Sequence, residues 1–320
     1  MWSSGLTGLI LGRLFSGLVT LFIVSVLVFA GTEILPGDVA QAVLGQQATP
    51  EAVQAIRDKL DLDQPAAVRY VSWLWDFVRG DLGRSLLSGR EVSELIGRQL
   101  GNSLFLAAVA AVIAIPLSVG LGLLAALYED RPTDKSITAS TLIFVSLPDF
   151  LLGYLLLLLF AVKLGWFPAL SRISSSMSFI EQLRAVALPC VTLALVVSAH
   201  TMRLTRAAIL SVMNQAYIEM AELKGATRGR IILRHALPNA LSPILNIVML
   251  TLAYLIVGVV VVEAVFNYSG LGRTMIDAVS KRDMPLVQAC GLIFASVYVI
   301  LNLTADILSI LTNPRRRRPK

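Results

Sequence analysis

Residues 206–238 read RAAILSVMNQAYIEMAELKGATRGRIILRHALP, a polar and basic stretch between two long apolar runs. Within it Ile209, Val212, Met213, Ala216, Tyr217, Met220 and Leu223 recur at the three- and four-residue intervals that line one face of a helix. Gly225 follows, where a helix can end in a left-handed turn. Arg228, Arg230 and Arg234 come next, and Ala236-Leu237-Pro238 leads into the following apolar run. The stretch predicts a helix–turn–helix hairpin, too short and too polar to cross a bilayer. A short rigid helix of this kind suits docking into a groove on a partner protein.

The runs on either side place that hairpin in a membrane protein. Of 320 residues, 56% are hydrophobic and 15% charged, with mean hydropathy +0.75. Soluble domains carry roughly a quarter charged residues, so lipid is the solvent this composition fits. A bilayer core about 30 Å thick needs about 20 mostly apolar residues per helix. Runs near 12–34, 101–127, 137–162, 184–206, 240–266 and 287–311 meet that length, which predicts an all-α membrane protein of about six spans. Pro116, Pro148 and Pro243 fall within or near the start of spans, where neighbouring groups can satisfy the freed carbonyls. Gly120, Gly122, Ala125 and Ala126 are candidates for close helix–helix contact.

Charge sets an expected orientation. The net charge is +6, concentrated in Arg203, Arg206, Lys224, Arg228, Arg230 and Arg234 and in a tail holding Arg315 to Arg318 and Lys320. The positive-inside rule then puts the N-terminus, 128–136, the loop 207–239 and the tail 312–320 in the cytoplasm. It accounts for the basic clusters without nucleic acid. Segment 35–100 balances seven Lys/Arg with nine acids, and loops beyond about 60 residues cross largely regardless of charge, so it is expected outside. Its Tyr70, Trp73, Trp75 and Phe77 suggest a helix at the membrane interface, and Trp166 fits the same aromatic belt. Val28-Phe29-Ala30 looks like a cleavage site, but the apolar run is long for a signal peptide. Segment 1–34 is therefore expected to keep its helix, ahead of a five-helix transmembrane core at 101–311. Cys190 and Cys290 lie in apolar runs and are expected to be buried thiols.

The hairpin resembles a motif of ABC importer permeases: E-A-A, three residues, G, nine residues, I-x-L-P. Glu219, Ala221, Gly225, Leu237 and Pro238 match it, whereas Met220 and His235 depart. RHALPNAL resembles the variant found in the oligopeptide/dipeptide (peptide/nickel) permeases. LPGDVA at 35–40, LDLDQP at 60–65, RGDLGRSLLSGREVSELI at 79–96, VVEAVFNYSGLGR at 261–273, KRDMPLVQA at 281–289 and LNLTADILSILTNPRRR at 301–317 extend the resemblance over nearly the whole chain. Ser269 stands where the family usually has Pro. The chain resembles the first of two permease subunits, which has a long external loop after helix one. The resemblance implies a type I importer in a bacterial inner membrane. A second homologous permease, two ABC ATPase subunits and an external binding protein would complete it. ATP and Mg would be used by the partner ATPases, with no cofactor on this chain. Peptides would be the cargo, and Glu219, Ala221, Gly225, Leu237 and Pro238 would couple this chain to an ATPase.

The residues allow other readings. No G-x4-G-K-[ST] loop occurs, so ATP hydrolysis by this chain is not expected. Neither H-E-x-x-H nor a Cys/His cluster is present, and His200 and His235 are weak candidates for catalysis. A stand-alone channel or secondary transporter should show repeats or an ion relay, and the sequence shows neither. Asp149, Glu263 and Asp306 lie in or near apolar runs, where acids tend to face the bundle interior. They are candidates for the substrate path, or alternatively for internal pairing and capping.

Overall fold

A computed structural model describes residues 3–34, 49–59, 64–174 and 176–312. The sequence marks LPGDVA at 35–40, the start of LDLDQP and the arginine tail beyond Thr312 lie outside them. The described chain is helical: α1 (Ser3–Ile34), α2 (Pro50–Lys59), α3 (Ala66–Val78), α4 (Val92–Leu127), α5 (Pro132–Ser146), α6 (Asp149–Leu156), α7 (Phe179–Met213), α8 (Ala216–Leu223), α9 (Arg228–Ile231), α10 (Leu237–Val265), α11 (Leu271–Lys281) and α12 (Met284–Thr312). Among the described residues, five helices are long and apolar enough to span a bilayer, and a bent pair makes up to six.

That bent pair covers the expected span 137–162, which is therefore not one straight helix. Leu147 is extended at φ −89° and ψ 131°, the conformation that a following proline imposes. The chain therefore turns by 103° between α5 and α6, and α6 continues into a π-helical stretch, Leu157–Lys163. Hydropathy registers the apolar length but not the corner.

The chain forms two compact units. The first contains 104–268 with the outermost parts of α1 and α12. Here α7 is the central helix, packed by α5, α6 and α10. Its start is fixed by a capping box, in which the Ser178 N–H donates to Glu181 Oε2 at 2.7 Å and the Glu181 N–H donates to Ser178 Oγ at 3.4 Å. Gly122 lets α4 approach α7 closely: a Cβ there would lie 2.7 Å from Thr205 Cβ and 2.9 Å from the Met202 carbonyl. Ala125 and Ala126 are buried as well, while Gly120 faces open space. Hydroxyls tie the helices together: Thr201 and Thr251 share a 2.7 Å hydrogen bond, and Ser198 donates to the Ala114 carbonyl at 3.2 Å. The Arg206 guanidinium donates to both Asp134 oxygens, at 2.8 and 2.6 Å. Cys190 is a buried free thiol in this unit.

The second unit contains 15–103 and 269–299. Its core joins Val92 and Ile96 of α4 to Leu271 and Ala278 of α11 and to Leu286, Ala289 and Cys290 of α12. Tyr70 and Trp73 of α3 stack on Phe29 of α1, with ring centroids 5.5 and 5.8 Å away, and the Ser25 and Tyr70 hydroxyls are 2.8 Å apart. Three of the four aromatics expected at an interface thus pack inward as a cluster, Phe77 through Trp73, and Trp75 remains exposed beneath Arg79. Arg69 donates to both oxygens of Glu33 at 2.7 Å. The 79–91 loop is strapped to the α11–α12 turn, where buried Asp283 accepts from Ser85 Oγ at 2.5 Å and from the Leu86 N–H at 3.1 Å.

Candidate functional site: the 214–238 hairpin

The apolar face expected to run unbroken from Ile209 to Leu223 is split. Helix α7 ends at Met213, Gln215 is extended, and α8 starts at Ala216. The break rotates the register. Ile218 becomes the buried residue of α8, while Tyr217, Met220 and Leu223 turn outward and form an exposed apolar stripe. Leu223 is 76% exposed and Met220 is 55% exposed. Glu219 stands beside the stripe in the first turn, also exposed, where a carboxylate complements the positive end of the helix.

Helix α8 closes in a Schellman turn, which explains the spacing from Ala221 to Gly225. The Gly225 N–H donates to the Glu222 carbonyl at 2.8 Å, and the Ala226 N–H reaches back to the Ala221 carbonyl at 3.2 Å. Gly225 takes φ +78°, a conformation that costs glycine nothing. A side chain on Gly225 would nevertheless meet open space, with nothing within 4 Å of a Cβ. Any intolerance at this position must come from the backbone and not from a clash within the chain.

Beyond the turn, extended Thr227 starts α9, and α9 runs through a π-helical stretch, Ile232–Ala236, into α10. Leu237 and Pro238 account for the wide turn. Pro238 has no N–H to give, and the Leu237 N–H donates back to the Ile232 carbonyl, five residues away. Asn239 Nδ2 also donates to the His235 carbonyl at 2.7 Å.

The base of the hairpin is firmly held. Ile209, Ile232, Ala236, Ala240 and Ile244 form one buried cluster with Ala126 of α4, and Leu237 packs against it. Ile218 and Ile231 are buried where α8 meets α9. The Arg228 guanidinium donates to the Ala126 carbonyl at 3.1 Å and to the Glu129 carboxylate, placing a cation on the C-terminal end of α4. In the sequence Ile218 carries no signal of burial, and Arg228 stands only as one of a cluster of basic residues. The Asn214-Gln215 pair was a local hint of the break, but the partners of Arg228 lie about a hundred residues away.

The three acids occupy different settings. Asp149 is half-buried in the first turn of α6, at the corner after Pro148, with no side-chain hydrogen bond among the described residues. Glu263 is 0% exposed within the first unit and interacts inside the chain. Burial, and after it the nearby Glu263, push the Tyr268 phenol above its ordinary range. Asp306 pairs with Arg13 at 3.0 Å, tying α12 to α1. The described residues contain no cluster of three or more His, Cys, Asp or Glu side chains able to hold a metal ion.

Two family descriptions cover almost the whole chain. "Binding-protein-dependent transport system inner membrane component" matches residues 118–318, and the corresponding N-terminal component matches 6–112. The chain belongs to this family. The permease is 38% identical over 312 residues to a Brucella abortus (strain 2308) chain provisionally named a peptide transport system permease protein, covering 98% of this chain and 99% of that one. It is 34% identical over 308 residues to the glutathione transport system permease protein GsiC of Escherichia coli (strain K12), covering 96% and 98%. Among solved structures, the inward-facing MetNI methionine ABC transporter aligns at TM-score 0.54 and 20% identity, over 68% of this permease and 96% of the MetNI chain. The fold is that of a type I ABC importer permease.

Proposed function

We propose that this chain is the permease subunit of an ATP-driven ABC importer for di- or oligopeptides, with glutathione among the chemistries its relatives' names allow. It forms half of a pathway, the other half coming from a second homologous permease. An external binding protein delivers the solute, and two ABC ATPase subunits supply the energy. The observation that carries the coupling role is the hairpin. A helix of eight residues has no independent stability, yet α8 is fixed by buried Ile218, the Gly225 turn and Arg228, while its apolar stripe and Glu219 face outward. An apolar stripe on a rigid, exposed element fits a groove in a partner subunit. In this reading 207–239 is cytoplasmic and both termini are cytoplasmic.

Of the acids, Asp149 is the one assigned to the path, where it meets the cargo's ammonium; Glu263 and Asp306 hold the fold. Asp149→Asn should then reduce import of cationic peptides more than acidic ones, and an equal loss for both would remove it from the path. For the coupling role, the permease carrying Glu219→Lys should still insert and dock the binding protein, but co-purify with less ATPase or lose solute-stimulated hydrolysis. Wild-type stoichiometry and full stimulation in that variant would overturn the assignment.

A further inference from the structure

Most exposed surface on the span helices is apolar, as a lipid-facing surface should be: Phe22 and Ile23 on α1, Val112 on α4, Ile143 on α5. One face of the first unit departs from this. His200 on α7 is exposed, and its ring meets Tyr254 of α10 edge-on at 6.2 Å, with Tyr254 itself 59% exposed. Their depth follows from the packing. Helix α10 runs Leu237–Val265, so its midpoint is Thr251, and Thr251 is hydrogen-bonded to Thr201, the neighbour of His200. The pair therefore lies near mid-span. Arg203, also exposed, is three residues along α7 and on the same face as His200, about 5–6 Å away between Cβ atoms. None of the three side chains makes a hydrogen bond or ion pair among the described residues. Ionisable and hydrogen-bonding groups at this depth do not face hydrocarbon; they face a water-filled cavity or another protein surface.

We infer that His200 and Tyr254, with Arg203 one turn away, form a step in the wall of the water-filled route and receive a carboxylate of the passing solute. This rests on the importer reading above. The chemistry selects an anionic group: the imidazole N–H, the phenol O–H and the guanidinium can all donate, and the guanidinium can only donate. A carboxylate satisfies several such donors at once. The face also places these donors beside the wholly apolar Leu250, Val257 and Val261 stripe of α10, which offers no competing acceptor side chain.

The test uses the complete reconstituted transporter, with Cys190 and Cys290 replaced by Ala and solute-stimulated ATP hydrolysis confirming assembly. His200→Cys and Tyr254→Cys should react with the anionic, membrane-impermeant reagent 2-sulfonatoethyl methanethiosulfonate at least about tenfold faster than Val112→Cys, a lipid-facing control. Labelling as slow as the control in every nucleotide state would overturn the inference, because the pair would then lie in lipid or in a dry contact with the partner permease. In the second arm, His200→Gln and Tyr254→Phe should each lower uptake of a dipeptide at least about fivefold, while uptake of the same dipeptide as its C-terminal amide changes less than about twofold. Equal losses for both would overturn the carboxylate step. If the unmutated transporter takes up neither compound, the peptide reading fails, while the labelling arm still judges the wall.

Discussion

Substituting Gly225 separates a backbone effect from a size effect, because φ is +78° and no atom lies within 4 Å of a would-be Cβ. Alanine in the left-handed region costs roughly 1 kcal/mol, and a β-branched valine about 2 kcal/mol. Asparagine visits that region readily and should cost a few tenths. Against this strain stand the two Schellman hydrogen bonds, at roughly 1 kcal/mol each, and buried Ile218, worth on the order of 2–3 kcal/mol. The hairpin should therefore survive all three substitutions in the free permease, with a growing share of molecules in which α8 is displaced. If the strain is fully expressed on docking, at tenfold per 1.4 kcal/mol, Gly225→Ala weakens ATPase binding up to about fivefold and Gly225→Val up to about 30-fold. The assay is titration of purified permease with fluorescent ATPase subunits, together with solute-stimulated hydrolysis in liposomes. The expected affinity order is Gly, Asn, Ala, Val. If Gly225→Asn binds more weakly than Gly225→Ala, side-chain volume at the docking surface sets the effect, and the backbone reasoning is refuted.

Three further outcomes are expected. Arg206→Ala leaves the Asp134 carboxylate, 5% exposed, without its bidentate partner; unfolding in detergent should show a loss on the order of 3–5 kcal/mol, largely recovered in the double variant Arg206→Met/Asp134→Leu. Gly122→Ala forces a Cβ to 2.9 Å from the Met202 carbonyl and should cost about 1–3 kcal/mol by the same measurement, whereas Gly120→Ala, with nothing within 4 Å, should be neutral or slightly stabilising. Single cysteines in a cysteine-free background should be labelled only from the cytoplasm at Ser211 and Thr312 and only from outside at Ser88, and external labelling at either of the first two would reverse the topology.

Much of the site was legible in the linear sequence because its constraints are local. The interval from Ala221 to Gly225 is the span of a Schellman turn, and Leu237-Pro238 marks a place where the helical ladder lacks a donor. Both can be read without knowing what packs nearby. The outward direction of Tyr217, Met220 and Leu223 could not, because the break at Gln215 reset the helical phase and the burial of Ile218 decided which side faces in.

What the sequence by itself determined is the solvent and the element type. Apolar runs of bilayer length leave the backbone no partner but itself, so they form helices wherever the chain takes them. The family also follows from sequence, through motifs spread over nearly the whole chain. Tertiary structure alone decided which helices touch and which side chains are spared from lipid. The corner at Pro148 is marked in the sequence by the proline, but its 103° angle and the packing of α5 and α6 against α7 are seen only in the folded chain. Arg228 reached Glu129, and Asp134 reached Arg206, across loops whose length says nothing of direction. His200, a lone histidine in an apolar run, gained meaning only when Tyr254 arrived beside it on an exposed face. A helical period states which residues share a side; only the neighbouring helices state what that side meets.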